Sequence, residues 1–292
     1  MPYTNYNVAN SHRKPKKSRR IKIFVVALLL VIVGAGIWKL TRKDTSPSTP
    51  SNNQAATADV ETKQEAAPAE TLPDMQPVID AWTANHAGTY AVTITDEKGN
   101  KVGVTNGDQQ FFTASIYKLY VAYIGYQKID DGTYSLSEPY LNGWTREKCL
   151  DEMIRSSNSP CAEKLWNELG KDKVTAKMKA YGLTNTDLTG LVTSSNDAAI
   201  ILSRLVQGLD LKPASNNAML ASMKGQIYRD GLPAGFTTSE IYDKVGFRGV
   251  IEYHDTAIVK VNGKTAIVSV LSENAGSKNI AGLGTAIQKA LQ

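Results

Sequence analysis

Three short motifs supply the groups that a serine acyl-transfer reaction requires, and each lies in a different part of the chain. In order they are Ser115-Ile-Tyr-Lys118, Ser156-Ser-Asn158 and Lys244-Val-Gly246. The first places a lysine one helical turn after a serine, so the amine can reach the hydroxyl and serve as its base. One such match would carry little weight, but three in this order predict nucleophilic catalysis in which lysine replaces histidine.

The chemistry suggests a role for each of these residues. Ser115 is the candidate nucleophile, since backbone N–H groups at a helix N-terminus favour a developing negative charge. Lys118 can act as its base only where burial or nearby positive charge lowers its pKa from about 10.4 towards neutrality. Lys244 would provide that charge and attract a substrate carboxylate, while Ser156 relays a proton to the leaving nitrogen and Asn158 holds a substrate amide. Taken singly, the same residues are also typical of helix caps, loops and surface lysines.

The hydrophobic pattern predicts the elements that hold the motifs. It indicates a helix over residues 75–87, strands over 89–96 and near 102–104, and a helix from Ser115. Helical signals fill residues 145–225, strands follow at 241–247, 252–261 and 264–272, and a helix covers 279–291. The last two strands are joined by Asn262-Gly263, a strong hairpin signal. We therefore expect an α+β sandwich, with an antiparallel sheet of about five strands flanked by the terminal helices beside an all-helical subdomain.

The N-terminal part of the chain predicts a membrane anchor. Residues 21–38 form an apolar run interrupted only by Lys22, and at about 1.5 Å each they span roughly 27 Å. More basic residues precede the run than follow it, so the positive-inside bias places the N-terminus in the cytoplasm. We expect a cytoplasmic tail (1–20), a transmembrane signal anchor (21–40), a flexible Ser/Thr/Pro/Ala-rich linker (41–74) and an extracytoplasmic domain (75–292). The alternative is a cleaved signal peptide, whose apolar region is usually shorter.

The net charge of +5 comes from the tail. Residues 1–43 hold ten Lys or Arg and no acid, which leaves 23 basic and 28 acidic residues in the exported part. We therefore expect no nucleic-acid partner. The histidines His12, His86 and His254 are scattered and no metal-ligand motif is present, so we expect neither a metal nor another cofactor.

Cys149 and Cys161 are the only cysteines, and they flank the second motif. An even count in an exported segment favours a disulfide, which would clamp the two helix ends that hold this motif. The alternative is a pair of buried free thiols.

Four segments carry a resemblance to a known family. They are Ser115-Ile-Tyr-Lys118, Met153-Ile-Arg-Ser156-Ser-Asn158, Asp243-Lys244-Val-Gly246 and His254-Asp-Thr-Ala-Ile-Val259. Over residues 75–292 the chain resembles the class A β-lactamase and penicillin-binding-protein superfamily. The resemblance implies that a β-lactam or a D-alanyl peptide acylates Ser115, with Lys118 as base and Ser156 as proton shuttle. The substrate-binding positions that it implies are Asn158, Lys244, Gly246, Phe247 and Arg248, with the oxyanion hole formed by the backbone N–H groups of Ser115 and Phe247.

Two positions in the motifs depart from the family pattern. Ser157 stands where these enzymes usually have aspartate. Val245 replaces a threonine or serine whose hydroxyl commonly holds the substrate carboxylate. Arg248 would either take over that contact or simply pair with a surface acid.

A third departure concerns the second half of the reaction. No glutamate lies between Glu168 and Glu240, the interval in which class A enzymes place their deacylating base. Asp187 is the nearest acid there, without the expected surrounding pattern. The resemblance therefore implies an acyl-enzyme that persists and a slow turnover of β-lactams.

Two functions from different classes are consistent with these residues. The first is a membrane-anchored extracytoplasmic serine hydrolase that is acylated on Ser115, with β-lactam hydrolysis and cleavage of peptidoglycan stem peptides both open. The second is a catalytically degenerate cell-surface binding or sensor module that retains the fold. In either case we expect a monomer.

Overall fold

The computed structural model of the protein describes residues 71–292. The expected tail and membrane anchor, and nearly all of the expected linker, lie outside the described residues. Within residues 71–292, no helix is both long enough and apolar enough to cross a membrane.

The described residues contain nine strands and nine α-helices. In chain order the strands are β1 (Thr89–Asp96), β2 (Lys101–Thr105), β3 (Phe111–Phe112), β4 (Pro139–Leu141), β5 (Trp144–Thr145), β6 (Val192–Thr193), β7 (Glu240–Arg248), β8 (Glu252–Val261) and β9 (Lys264–Glu273). The helices are α1 (Gln76–Asn85), α2 (Tyr117–Asp130), α3 (Arg146–Arg155), α4 (Ser159–Leu169), α5 (Lys171–Ala180), α6 (Ser195–Val206), α7 (Pro213–Lys224), α8 (Leu232–Gly235) and α9 (Gly276–Leu291).

Five of the strands form one antiparallel sheet in the order β2-β1-β9-β8-β7. The prediction of an antiparallel sheet of about five strands is confirmed. Asn262 and Gly263 form the turn between β8 and β9, both with positive φ (48° and 78°), as a two-residue hairpin of this type requires. Strand β7 pairs only with β8 and is therefore an edge strand, which leaves one side of it open.

Apolar residues on both faces of the sheet divide the core into two parts. On one face, Ile79 of α1 and Ile280, Leu283 and Ile287 of α9 pack against alternate valines of the sheet. On the other face, Ile258, Ile267 and Leu271 join the larger cluster of α2 and the following helices. The terminal helices thus cover one face, and the helical middle of the chain covers the other.

The middle of the chain differs from the expectation of an all-helical subdomain. Between α2 and β7 it holds helices α3 to α8, but also the β4–β5 hairpin and strand β6, which pairs with β3. These strands have two or three residues each, which is too short for an alternating hydrophobic pattern to show.

Candidate active site

The candidate nucleophile lies on a strained turn. Ser115 is the central residue of a 3₁₀ turn, Ala114–Ile116, that leads directly into α2. Ala114 has a φ of 42°, and the Thr113 N–H that precedes it donates to the Leu191 carbonyl at 2.7 Å. Non-glycine residues in the left-handed region are typical of functional sites, where the surrounding structure holds them. The Ser115 side chain is half-buried, and its hydroxyl makes no hydrogen bond with any of residues 71–292.

The third motif reaches this turn because Gly246 has no side chain. A Cβ at Gly246 would lie 2.9 Å from the Ser115 nitrogen and 3.2 Å from Ile116. The first of these distances is shorter than real Cβ atoms show, so only glycine permits β7 to pack this closely against the turn. The edge strand and the nucleophile are thus brought together over 131 residues of sequence.

Two buried lysines converge on one serine hydroxyl beside this turn. Lys118 Nζ donates to the Ser157 carbonyl at 2.5 Å, to Ser157 Oγ at 3.2 Å and to Ser159 Oγ at 2.9 Å. Lys244 Nζ donates to the same Ser157 Oγ at 3.1 Å and to the Val245 carbonyl at 2.6 Å. Both lysine side chains are almost fully buried. The first and third motifs are therefore linked through a single hydroxyl.

The hydroxyl between the lysines belongs to Ser157, not to Ser156. The prediction that Ser156 occupies this position disagrees with the structure, because its hydroxyl donates to the Glu152 carbonyl at 3.0 Å and to the Glu152 carboxylate. Ser156 ends helix α3, whereas Ser157 adopts a φ of 55° that turns its side chain towards Lys118 and Lys244. A residue in the left-handed region reverses the chain direction locally, which separates the two neighbouring side chains.

Asn158 has a structural role in addition to the substrate contact expected of it, which stays a prediction. Its side-chain oxygen accepts from the Cys161 N–H at 3.0 Å, so it caps helix α4. The side chain that faces Lys118 from this helix is Ser159. The sequence does contain a signal for this arrangement, since an asparagine two positions before Pro160 is typical of a helix N-terminus.

Burial and mutual repulsion change the charge of the lysine pair. Burial lowers the pKa of Lys118 from its ordinary value to about 8, and the Glu163 carboxylate partly opposes this. Burial, followed by the positive charge of Lys118, lowers the pKa of Lys244 to about 7, against the opposing effect of Asp243 and Asp255. Because the two amines share one hydroxyl, they titrate as a pair that loses its first proton near neutral pH.

Arg248 and Phe247, at the end of β7, have contacts away from the lysine pair. Arg248 forms a two-point ion pair with the buried carboxylate of Glu252 and stacks on the Phe112 ring at 4.0 Å. Arg248 is therefore paired with an acid, as in the second expected alternative, although Glu252 is buried and does not lie on the surface. A contact between Arg248 and a substrate carboxylate, in place of the hydroxyl missing at the buried Val245, stays a prediction. The Phe247 side chain is 44% exposed beside the Tyr228 ring.

A disulfide joins the helices on either side of Ser157. Cys149 in α3 and Cys161 in α4 are bonded, with their Cα atoms 5.2 Å apart. Both residues are buried. The cross-link holds the ends of the segment that carries the shared hydroxyl.

His254 has a structural role, because it supports the segment in front of the candidate nucleophile. Its Nδ1 accepts from the Ser272 N–H at 3.0 Å, so its Nε2 carries the proton and donates to the Phe112 carbonyl at 2.8 Å. Burial lowers the pKa of this histidine to about 4. The neutral ring thus ties the sheet to the strand that leads to Ser115. No local pattern marks such a residue, because its partners lie far away in sequence.

The fold and the site together define a class of protein: a β-lactamase-like α+β fold in which a serine turn lies beside a buried pair of lysines. The family model described as "Beta-lactamase enzyme family" matches residues 74–291, and the chain belongs to this family. The resemblance to the class A β-lactamase and penicillin-binding-protein superfamily is confirmed.

Solved structures show the same fold at low sequence identity. A structure of PBP-A is 21% identical, covers 75% of this chain and 98% of its own, and gives a TM-score of 0.66. An ancestral class A β-lactamase (GNCA) is 20% identical, with 74% and 99% covered and a TM-score of 0.68. A putative class A β-lactamase, PenP from Rhodopseudomonas palustris, is 22% identical, with 74% and 100% covered and a TM-score of 0.67. No curated protein matches the chain.

Proposed function

We propose that the protein is a serine hydrolase that is acylated on Ser115 by β-lactams or D-alanyl peptides. The observation that carries this proposal is the Ser157 hydroxyl, which lies within hydrogen-bond distance of both Lys118 and Lys244 next to the serine turn. The family membership supports it, as does a neighbouring structure, a PBP-A variant described as an acyl-enzyme complex with penicillin G.

In the proposed acylation, Ser115 Oγ attacks the substrate carbonyl carbon and its proton passes to the neutral Lys118 amine. The proton then moves through Ser157 Oγ to the leaving nitrogen as the amide bond breaks. The reacting state has a neutral Lys118 and a charged Lys244, which attracts the substrate carboxylate. It is the less populated of the two singly protonated states, because the pKa of Lys244 (about 7) is below that of Lys118 (about 8). The backbone N–H groups of Ser115 and Phe247 are the proposed donors to the oxyanion.

The lowered pKa of Lys118 makes this base available. At the ordinary value of 10.5, roughly 0.03% of the amine is neutral at pH 7, whereas at about 8 the neutral fraction is roughly 10%. The neutral fraction of Lys118 thus rises roughly 300-fold, and burial is the main cause of the lowered pKa.

We further propose that residues 21–40 anchor the protein in the cell membrane, with residues 75–292 on the extracytoplasmic side. The support is the apolar run at residues 21–38 and the excess of basic residues before it. A protease added to intact cells should digest the domain but leave an epitope tag at the N-terminus protected. Digestion of the tag in intact cells would contradict this orientation.

Intact-protein mass spectrometry with penicillin G tests the acylation. We expect one adduct per chain, mapped to Ser115 by peptide digestion, and none in the Ser115→Ala variant. No adduct at a saturating concentration would refute the proposal. The rate at which the adduct is lost then separates hydrolysis of β-lactams from a penicillin-inhibited peptidase, and D-alanyl-D-alanine peptides provide the direct assay for the latter.

The buried Val245 favours one alternative, a degenerate binding or sensor module, because a hydroxyl common at this position in the family is missing. In that case the Ser115→Ala variant should retain the biological role of the protein. Loss of that role in the variant would exclude the alternative.

A further inference from the structure

The second half of the reaction requires a base that takes a proton from water, and the acid that sequence analysis considered is engaged elsewhere. The Asp187 carboxylate accepts from the Thr189 N–H at 2.9 Å within its own loop. Asp243 accepts a hydrogen bond from Arg229 at 3.0 Å. Its side chain lies on the opposite face of β7 from that of Lys244, because neighbouring side chains of a strand alternate. Neither carboxylate is directed at Lys118.

Helix α4 brings a different carboxylate to the site. Ser159 and Trp166 both contact the first turn of α2, through the Lys118 amine at 2.9 Å and the Tyr117 ring at a centroid distance of 4.9 Å. Glu163 lies four residues after the first and three before the second, so all three share one face of α4. Its position between two direct contacts places it opposite the turn that carries Lys118.

Glu163 is also available for chemistry. It is exposed, and it makes no hydrogen bond or ion pair with any of residues 71–292. Its charge acts on this turn, because it raises the pKa values of both Lys118 and Tyr117. A carboxylate that is open to water and near the catalytic amine is suited to act as a general base.

We propose that Glu163 is the general base for deacylation, a role that rests on the acylation of Ser115 proposed above. Glu163 takes a proton from a water molecule as the water oxygen bonds to the acyl carbon. The bond between that carbon and Ser115 Oγ then breaks, and the proton on Glu163 returns to Oγ through the Lys118 amine. The product leaves as an acid, and each side chain regains its starting state.

The Glu163→Gln variant tests this role, because it keeps the size of the side chain and removes its basicity. Adduct formation and adduct loss are measured separately with penicillin G by time-resolved mass spectrometry, the second after removal of free penicillin. We expect adduct formation to change by less than about threefold and adduct loss to slow by about 100-fold or more. Glu147→Gln is the matched control, since it removes the same charge from an exposed position on α3.

The outcomes separate this inference from the proposed function. If the wild-type protein forms no adduct, the proposed function fails and the role of Glu163 fails with it. If adducts form but are lost equally fast in both proteins, or are not lost even from the wild type, only the inference is overturned. If the substitution slows adduct formation and leaves adduct loss unchanged, Glu163 merely sets the charge of Lys118, which also overturns it.

Discussion

Neighbouring serines offer the sharpest test of the site, because the structure assigns them different roles. Ser157 Oγ lies 3.2 Å from Lys118 Nζ and 3.1 Å from Lys244 Nζ. Among the described residues it is the one atom to which both amines donate a hydrogen bond. Ser156 Oγ instead bonds Glu152. We expect Ser157→Ala to slow acylation by about 10²- to 10⁴-fold, the usual contribution of a positioned proton-transfer group. Ser156→Ala should change it by less than about threefold.

The two substitutions should differ much less in stability than in activity. Ser157→Ala removes two hydrogen bonds to lysines that each keep another acceptor, so we expect a loss of about 1–3 kcal/mol. Ser156→Ala removes contacts with the partly exposed Glu152 and should cost about 1 kcal/mol. The free energy of unfolding in urea measures both effects.

The assay is the second-order rate constant for labelling by a fluorescent penicillin, with Ser157→Gly as an additional control. Glycine tolerates the φ of 55° at this position, so it removes the hydroxyl without backbone strain. The same rate loss in the glycine and alanine variants would assign the effect to the hydroxyl. Rapid labelling of Ser157→Ala together with loss of labelling in Ser156→Ala would refute the reasoning.

The structure makes three further predictions. His254 has a folded pKa of about 4, below its unfolded value, so its contribution to stability is complete above pH 6.5 and is lost as the pH falls towards 4. Between pH 6.5 and 4.5 this contribution to the free energy of unfolding should fall by at most about 3 kcal/mol, as measured by urea unfolding. The His254→Gln variant should lack this part of the loss, and equal losses in both proteins would contradict the prediction. Replacing Cys149 and Cys161 together by alanine should lower the free energy of unfolding by about 3 kcal/mol and slow penicillin labelling, whereas unchanged stability would show that the cross-link contributes nothing. Gly246→Ala should slow labelling by about 100-fold or more, because its Cβ would push β7 away from the Ser115 nitrogen, and wild-type labelling rates in this variant would disprove the close contact.

The sheet could be predicted from the sequence, because its signals are local. Strand β1 and strand β8 have the predicted bounds, Thr89–Asp96 and Glu252–Val261, since alternating side chains on a half-buried strand leave a clear pattern. The Asn262-Gly263 turn fixes the β8–β9 pairing in the same way. The short strands β3 to β6 could not be predicted, because two or three residues carry no period.

The candidate catalytic residues could also be found from the sequence, but their partners could not. Ser115, Lys118 and Lys244 were found through their spacing and order, which reflect a helical turn and a strand. The choice of Ser157 over Ser156 depends on one backbone dihedral angle at the end of α3, and adjacent serines look alike in a pattern.

By itself, the sequence determined the family, the sheet and the presence of a serine with two lysines, because each follows from local periodicity or from motifs within a few residues. Only the tertiary structure decided which hydroxyl joins the lysines, that Arg248 pairs with Glu252, and that Ser159 of α4 contacts Lys118. The physical reason is that these contacts join segments far apart in the chain or depend on a single dihedral angle. Such contacts form only if the packing around them allows it. Strand β7, for example, approaches the serine turn only because residue 246 is a glycine, and a Cβ there would prevent the contact.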